Sequence, residues 1–241
     1  SLSADYGWDY QSPRAFELAI NSSLRSKKAE SYGIGVKHQV GDEVVFSVEL
    51  YNKNLTQLIS IDSLWNLSND GYGYSRGAEF YIQLKQSSGF FGWISYTYSV
   101  SKRKEGRNPN LHYFEFDRPH LISLVANYPF AEQWQLGARF RYGSGRPYTP
   151  AASAWYDLLT GHWRPIAAEH NSDRYPAYNR LDVRLTRRFQ FDTFSMDAYL
   201  EFLNLYNQKN VVHYMWGETY SSEEAFTIFP FLPVVGVSAR F

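Results

Sequence analysis

Two stretches of the chain crowd aromatic rings together with cations and imidazoles. Residues 145–179 hold Arg146, Tyr148, Trp155, Tyr156, His162, Trp163, Arg164 and His170, and residues 207–233 hold His213, Tyr214, Trp216 and Tyr220. Flat rings stack on sugars and planar chelates, and guanidinium groups pair with anionic groups through a two-pronged fork. Arg146, Tyr148, Trp155, Tyr156, His162, Trp163, His170, Tyr214 and Trp216 are therefore candidates for ligand contact. The same residues also suit a loop that folds on its own aromatic cluster. Covalent chemistry finds no footing. G-x-S-x-G, H-E-x-x-H and Walker-type loops are absent, and the spacing of His162, His170, Asp173, His213 and Glu218 fits no catalytic motif. The chain has no cysteine, so disulfides and thiolate metal sites are excluded. No catalytic residue, metal or cofactor is expected, and the protein is read as a non-enzyme.

A second set of charges recurs at alternate positions: Glu49, Glu79, Arg139, Arg141, Asp182, Arg184, Asp197 and Glu201, with Lys85 and Arg188. Residues two apart on a strand share a face, so these line one side of a sheet. The other side is apolar. Phe46, Val48, Phe80, Ile82, Ile94, Tyr96, Leu136, Ala138, Val183, Leu200 and Val237 fall on it, and His38 and Arg187 interrupt it only near turns. The polar charges can pair across neighbouring strands or meet an enclosed domain or solute.

This period of two runs through almost the whole chain and predicts about ten antiparallel strands between sequential neighbours. About three-fifths of the residues are expected in strand, with any helix confined to loops. Tight connections at Gly41-Asp42, Ser87-Ser88-Gly89, Ala131-Glu132 and Asp192-Thr193 alternate with long ones at residues 11–29, 60–74, 102–120, 145–179 and 207–233. One end of the sheet therefore carries turns and the other loops, which is the plan of a transmembrane barrel. A soluble β-sandwich with binding or structural work also alternates, but has no reason to keep that parity.

Composition agrees. Basic and acidic residues number 24 each, so nothing points to nucleic acid, while aromatics reach 18%. Phe90, Phe91, Trp93, Phe130, Trp134, Phe189, Phe191, Phe194 and Phe241 gather near the turns as a candidate interfacial belt, and Tyr72, Tyr74, Tyr142 and Tyr206 near the loops. The mean hydropathy of −0.44 does not count against a barrel, whose strands alternate. The start at Ser1-Leu2 lacks a leader pattern and is expected to follow a removed signal or an internal cut.

Gly236-Val237-Ser238-Ala239-Arg240-Phe241 resembles the C-terminal signal read by the barrel-assembly machinery, with Gly236, Ala239 and Phe241 as its marks. "DRPHLISLVANYPF" with "WQLGARFRYGSGRPYTP" (117–150), "YNRLDVRLTRRF" (178–189) and "YLEFLNLYNQKN" (199–210) resemble strands of TonB-dependent transporters, particularly the Bacteroidetes-like branch. "LRSKKAESYGIGVKHQ" and "VELYNKNLTQLISI" resemble an earlier strand pair of the same family. The resemblance implies an all-β fold, with residues 1–241 a single C-terminal segment, without a plug domain, of a barrel of about 22 strands. It implies the outer membrane of a Gram-negative bacterium, with the C-terminus periplasmic. It also implies uptake of a bulky nutrient of siderophore, cobalamin-like, glycan or peptide class.

The implied partners are membrane lipid, the remaining strands and plug on another chain or upstream segment, TonB through the plug, the assembly machinery and a surface lipoprotein. The alternative is a small self-closed barrel. Ten strands could close at a radius of about 10 Å, too narrow for a plug. An open sheet would leave edges whose unpaired groups cost several kcal/mol each in hydrocarbon, so a piece of a wider barrel needs partner strands.

Overall fold

Alternation of apolar and polar side chains gives each strand two unlike faces, and ten such strands assemble edge to edge into one antiparallel sheet. The computed structural model describes residues 1–87, 89–228 and 230–241. The long strands are β1 (Leu2–Gln11), β2 (Lys27–Val40), β3 (Val44–Ile61), β4 (Leu67–Ser87) and β5 (Phe90–Lys104). After the short β6 (His112–Tyr113) come β7 (His120–Ala131) and β8 (Trp134–Gly143). Four short strands follow in one connection: β9 (Pro147–Tyr148), β10 (Ala151–Asp157), β11 (His162–Ala167) and β12 (Asp173–Arg174). Then come β13 (Tyr178–Gln190), β14 (Ser195–Leu203), β15 (Asn210–Trp216), β16 (Glu223–Ile228) and β17 (Leu232–Arg240). The sheet order is β1-β2-β3-β4-β5-β7-β8-β13-β14-β17, with β6 added beside β5. The one helix among the described residues, α1 (Ala15–Ile20), lies in the β1–β2 connection.

Every ladder among the described residues is antiparallel. A single isolated parallel bridge, Ser60 to Gly106, departs from the expected pattern where two loop-end segments touch. Strand content reaches 68%, above the expected three-fifths, because the long connections fold into hairpins of their own, β10–β11 and β15–β16. Residues 60–74 are also not a long loop. β3 and β4 have 18 and 21 residues, and only residues 62–66 join them. A tilted strand crosses a bilayer in about 9–11 residues, so this hairpin outruns the apolar band. Beyond the band no apolar face is required, and the alternation that marks a strand fades. The expected turn at Ser87-Ser88-Gly89 includes Ser88, which lies outside the described residues.

Register places the apolar residues in unbroken rows. Val36, Val48, Phe80, Tyr96, Ile122 and Tyr142 face one another across successive strands, and so do Phe46, Ile82, Ile94, Leu124, Phe140 and Leu181. Of the eleven residues expected to face outward, Phe46, Phe80, Ile82, Ile94, Leu136, Leu200 and Val237 are exposed, and Val48, Tyr96, Ala138 and Val183 are half-buried. Among the described residues only Leu24, Val45, Leu58, Ile59 and Leu67 are buried apolar side chains. A sandwich of this length would enclose a large core between two layers. Here a single layer turns its apolar face outward, so the sandwich reading fails. The small aliphatic cluster of Leu24, Ile59 and Leu67 only ties the β1–β2 connection to the β3–β4 hairpin.

Among the described residues no ladder joins β1 to β17, and each of them has one neighbour in the sheet. No helix among the described residues is long and apolar enough to cross a membrane, which says nothing about crossing by strands. Two members of the expected turn-end belt face the other way. Phe91 lies opposite Asn127, and Trp93 opposite Gln83 and Val125, all on the polar face. Phe130 with Trp134, at 6.4 Å, and the run Phe191, Phe194 and Phe241 do cluster at the turn end.

Candidate functional site

At the loop end of β7, β8 and β13 the polar face opens into a cleft of about 520 Å3. Arg118, Arg141, Arg146, Tyr175, Tyr178 and Asn210 line it. The strands bring Arg141 there by register, opposite Ser123 and Arg180. The segment between β6 and β7 brings Arg118, the connection after β8 brings Arg146 and Tyr175, Tyr178 opens β13, and Asn210 opens β15. Burial, and then the nearby Arg146 guanidinium, lower the pKa of Arg118, though an arginine stays charged at neutral pH. Three guanidiniums in one cleft make a site for anionic oxygens.

Beside the cleft stands a cluster of three tyrosines. Tyr148 stacks on Tyr175 at 4.4 Å, Tyr214 lies 5.4 Å from each, and the Arg146 guanidinium sits 5.5 Å from the Tyr175 ring. Arg146 also donates to the Val212 carbonyl at 3.0 Å, and the Tyr148 hydroxyl donates to Asp173 at 3.3 Å. Burial raises the pKa of Tyr148, assisted by Asp173 and Glu223. Burial and then Glu223 raise that of Tyr214. Both remain neutral; the Tyr148 proton is held by Asp173, and the Tyr214 hydroxyl can donate to a ligand oxygen.

The nine candidate contact residues thus divide. Arg146, Tyr148 and Tyr214 come together. Trp155, Tyr156, His162 and Trp163 sit on the β10–β11 hairpin, where Tyr156 and Trp163 meet edge to face at 5.6 Å. Trp216 lies 6.4 Å from Tyr220 at the end of β15. His170 contacts His112 at 4.5 Å in a junction between two connections. Spacing gave no sign of Arg118, Tyr175 or His112. Tyr175 follows Arg174 in the same loop as Tyr148, but only folding brings it onto Tyr148.

Buried polar residues hold the floor of the site. Asp117 accepts from Arg174 at 2.5 Å and from the Ser101 amide at 2.6 Å, and Arg174 also donates to the Asp117 and Gly145 carbonyls. Asp182, 4% exposed, accepts from Arg180 at 2.5 Å and from the Asn204 amide at 2.9 Å, with Arg141 3.9 Å away. Asn204 exchanges two hydrogen bonds with Gln208, and Asn210 exchanges two with the backbone of Asn179. The asparagine-rich segment after β14 therefore pins the last long connection to β13.

The other polar-face charges behave in two ways. Arg188 grips Asp197 through two hydrogen bonds, at 2.8 and 3.1 Å. Arg184 stacks on Tyr199 at 3.5 Å and lies opposite Glu201 in register, and Arg139 lies opposite Asp182. Glu49 and Glu79, by contrast, face each other directly across β3 and β4. At the C-terminal strand, a Cβ on Gly236 would fall 2.3 Å from the Tyr199 ring, so glycine makes room for that ring. Ala239 pairs with Met196, and Phe241 lies 5.7 Å from Phe194. Among the described residues no group of three or more carboxylate and imidazole side chains could hold a metal.

Residues 1–207 match the family model described as TonB dependent receptor-like, beta-barrel. The chain belongs to that family. These are Gram-negative outer-membrane receptors rather than enzymes. Among curated proteins none matches this TonB-dependent receptor-like barrel. Solved structures similar to it include the ferric-catecholate import receptor Fiu from Escherichia coli K12, in a closed form (TM-score 0.69, 15% identity). The ferric citrate transporter FecA in its unliganded form (0.70, 14%) is similar too, as is the ferripyoverdine receptor of the Pseudomonas aeruginosa outer membrane bound to ferripyoverdine (0.67, 16%). Each alignment covers 99% of this chain but only 32%, 36% and 30% of those chains respectively, and at such identities it shows the fold. The chain spans about a third of the length of the solved structures it matches.

Proposed function

We propose that this receptor-like barrel segment serves TonB-dependent uptake of a bulky, anionic nutrient across the outer membrane. Its loop end is extracellular and its C-terminus periplasmic. The cleft of Arg118, Arg141 and Arg146 beside three clustered tyrosine rings carries the reading. Guanidiniums pair with carboxylate or phenolate oxygens, and tyrosine rings cover the flat parts of the same ligand. An iron chelate with anionic ligands meets both demands, and the names of the similar structures favour the same class. A neutral glycan would leave Arg118 and Arg146 without an anionic partner.

Transport requires more than this segment. The remaining strands, a plug and TonB acting on that plug complete the machine, and Gly236, Ala239 and Phe241 supply the assembly signal. Charges on the polar face then line the lumen. The test is accumulation of radiolabelled iron from anionic ferric chelates by cells with and without the gene, with cobalamin as comparison. Loss of chelate uptake alone is expected. Unchanged iron accumulation for every chelate would overturn the reading.

A further inference from the structure

The outward face carries cations where it should be apolar or neutral, and they lie together. Above the last apolar row (Ile34, Leu50, Ala78 and Tyr98), the register continues with Tyr32, Asn52, Arg76 and Val100. The next row is Glu30, Asn54, Tyr74, Lys102 and Tyr113, and above it lie Tyr72 and Lys104, with Lys28 opposite Thr56. Each cation rests on an aromatic ring. Arg76 lies 4.2 Å from the Tyr74 centroid, Lys102 4.3 Å from Tyr113, Lys28 5.4 Å from Trp8 and Lys104 6.0 Å from Tyr72. A ring beneath a cation fixes its place but leaves its N–H groups free to donate outward.

Two carboxylates stand nearby, and both are engaged. Glu30 accepts from the Tyr6 hydroxyl at 2.7 Å and the Trp8 indole at 3.3 Å, beside Lys28. Asp70 accepts from Ser60 and Ser68 and faces Lys104. Among the described residues neither Arg76 nor Lys102 lies within ion-pair distance of a carboxylate. Arg76 is two residues and Lys102 four residues beyond the apolar rows. At about 3.3 Å per residue and a tilt near 40° they stand roughly 5 and 10 Å past the hydrocarbon edge. That is headgroup height.

We propose that the loop-end outward face of β2 to β5 binds the phosphoryl groups of an anionic membrane lipid through Arg76 and Lys102, flanked by Lys28 and Lys104. The inference rests on the apolar rows facing lipid and is independent of what the cleft transports. Charge and height together select the occupant. Uncompensated cations lie at headgroup depth on a lipid-facing wall, so their partner is a lipid phosphate of the loop-side leaflet. In a Gram-negative outer membrane that is a phosphorylated glycolipid.

The test immobilises the full-length receptor in neutral detergent and titrates it with diphosphoryl lipid A, fully dephosphorylated lipid A of the same acylation, and inorganic phosphate. Saturable binding of the diphosphoryl lipid is expected, with no binding of inorganic phosphate. A basic residue near an anionic surface contributes enough that R76Q/K102Q should weaken binding roughly 30-fold, and K102Q alone about 5-fold. R76K/K102R should retain most of it. Folding of each variant is checked by its gel shift on heating, and the single K102Q change decides the matter if the double variant fails to fold. Equal binding of the dephosphorylated lipid, or unchanged binding by K102Q, would overturn the proposal. So would binding of inorganic phosphate that K102Q abolishes, or a dimer in native mass spectrometry held by this face.

Discussion

Arg184, Tyr199 and Gly236 form a stack across three strands, with the guanidinium 3.5 Å from the ring and the ring pressed on the glycine. A side chain at 236 must push Tyr199 off its seat. G236V is expected to lower stability by about 1–3 kcal/mol, the usual cost of overpacking, read as a drop in thermal midpoint. Adding Y199A should recover part of the loss, and a G236V variant as stable as the parent would show that the contact is loose. Asp182 is a second focus, because two arginines and the Asn204 amide converge on one buried carboxylate. D182N removes the charge they share and should cost about 3 kcal/mol in denaturant unfolding, as expected for breaking a buried ion pair. The alternation of Asp182, Arg184 and Arg188 was readable in the sequence, and so was their common face. Their partners were less so. Arg188 found Asp197 across a tight turn, as cross-strand pairing suggests, whereas Asp117 found Arg174 57 residues away through loop packing that no period encodes.

The strands announced themselves because each had to separate an apolar face from a polar one. That requirement lapses outside the apolar band, and there the reading failed. β4 began unseen at Leu67, inside the expected 60–74 connection, and the loop hairpins β10–β11 and β15–β16 were read only as loops. Trp93 shows the converse limit: nearness to a turn says nothing about which face a residue takes. The loop elements also carry a pH-sensitive joint. His112 of β6 and His170 meet at 4.5 Å, with Glu115, Glu105 and Arg107 around the same cavity. Burial, then His112, lower the pKa of His170 below its ordinary value, while Glu115 opposes this. The folded junction therefore binds a proton less readily than the unfolded loop. Its stability is complete above about pH 6.5 and declines as pH falls below that value. Protection of the amides at residues 110–114 and 168–172, taken relative to their intrinsic exchange rates, should fall between about pH 7 and 5, and H170Q should flatten that dependence. Protection independent of pH in the parent protein would refute the joint. The β10–β11 tip is pinned differently. The Thr160 side chain, then the Leu159 and Thr160 amides and Arg164, lower the Asp157 pKa and close the turn. D157A should make the exposed Leu158 and Leu159 backbone exchange faster without moving the thermal midpoint by more than a degree or two.

The whole sheet has one physical requirement: its outward rows must meet lipid and its other face must not. Ile82 and Glu79 lie three residues apart on β4 and belong to opposite faces. Ile82 sits in the row of Phe46, Ile94 and Leu124, whereas Glu79 faces Glu49 and Thr97. Ile82 is five residues from the end of β4, which at about 3.4 Å per residue and a tilt near 40° puts it roughly 13 Å up the strand. That is close to the middle of an apolar band about 25 Å tall. An arginine there must leave water for hydrocarbon at a cost of roughly 2–4 kcal/mol. An arginine at 79 stays on the polar face and exchanges a like-charge contact with Glu49 for an attractive one, so it should cost nothing or stabilise slightly. I82R and E79R, folded into vesicles as the full-length receptor and unfolded in guanidinium, are therefore expected to separate by at least about 2 kcal/mol with I82R the weaker. A sheet wetted on both faces would give two variants of equal stability, because neither arginine would leave water. A sheet whose lipid side is the charged one would reverse the order. Only the orientation drawn from the alternation, with apolar rows outward and Glu49, Glu79, Arg139 and Arg184 within, makes one substitution costly and the other harmless.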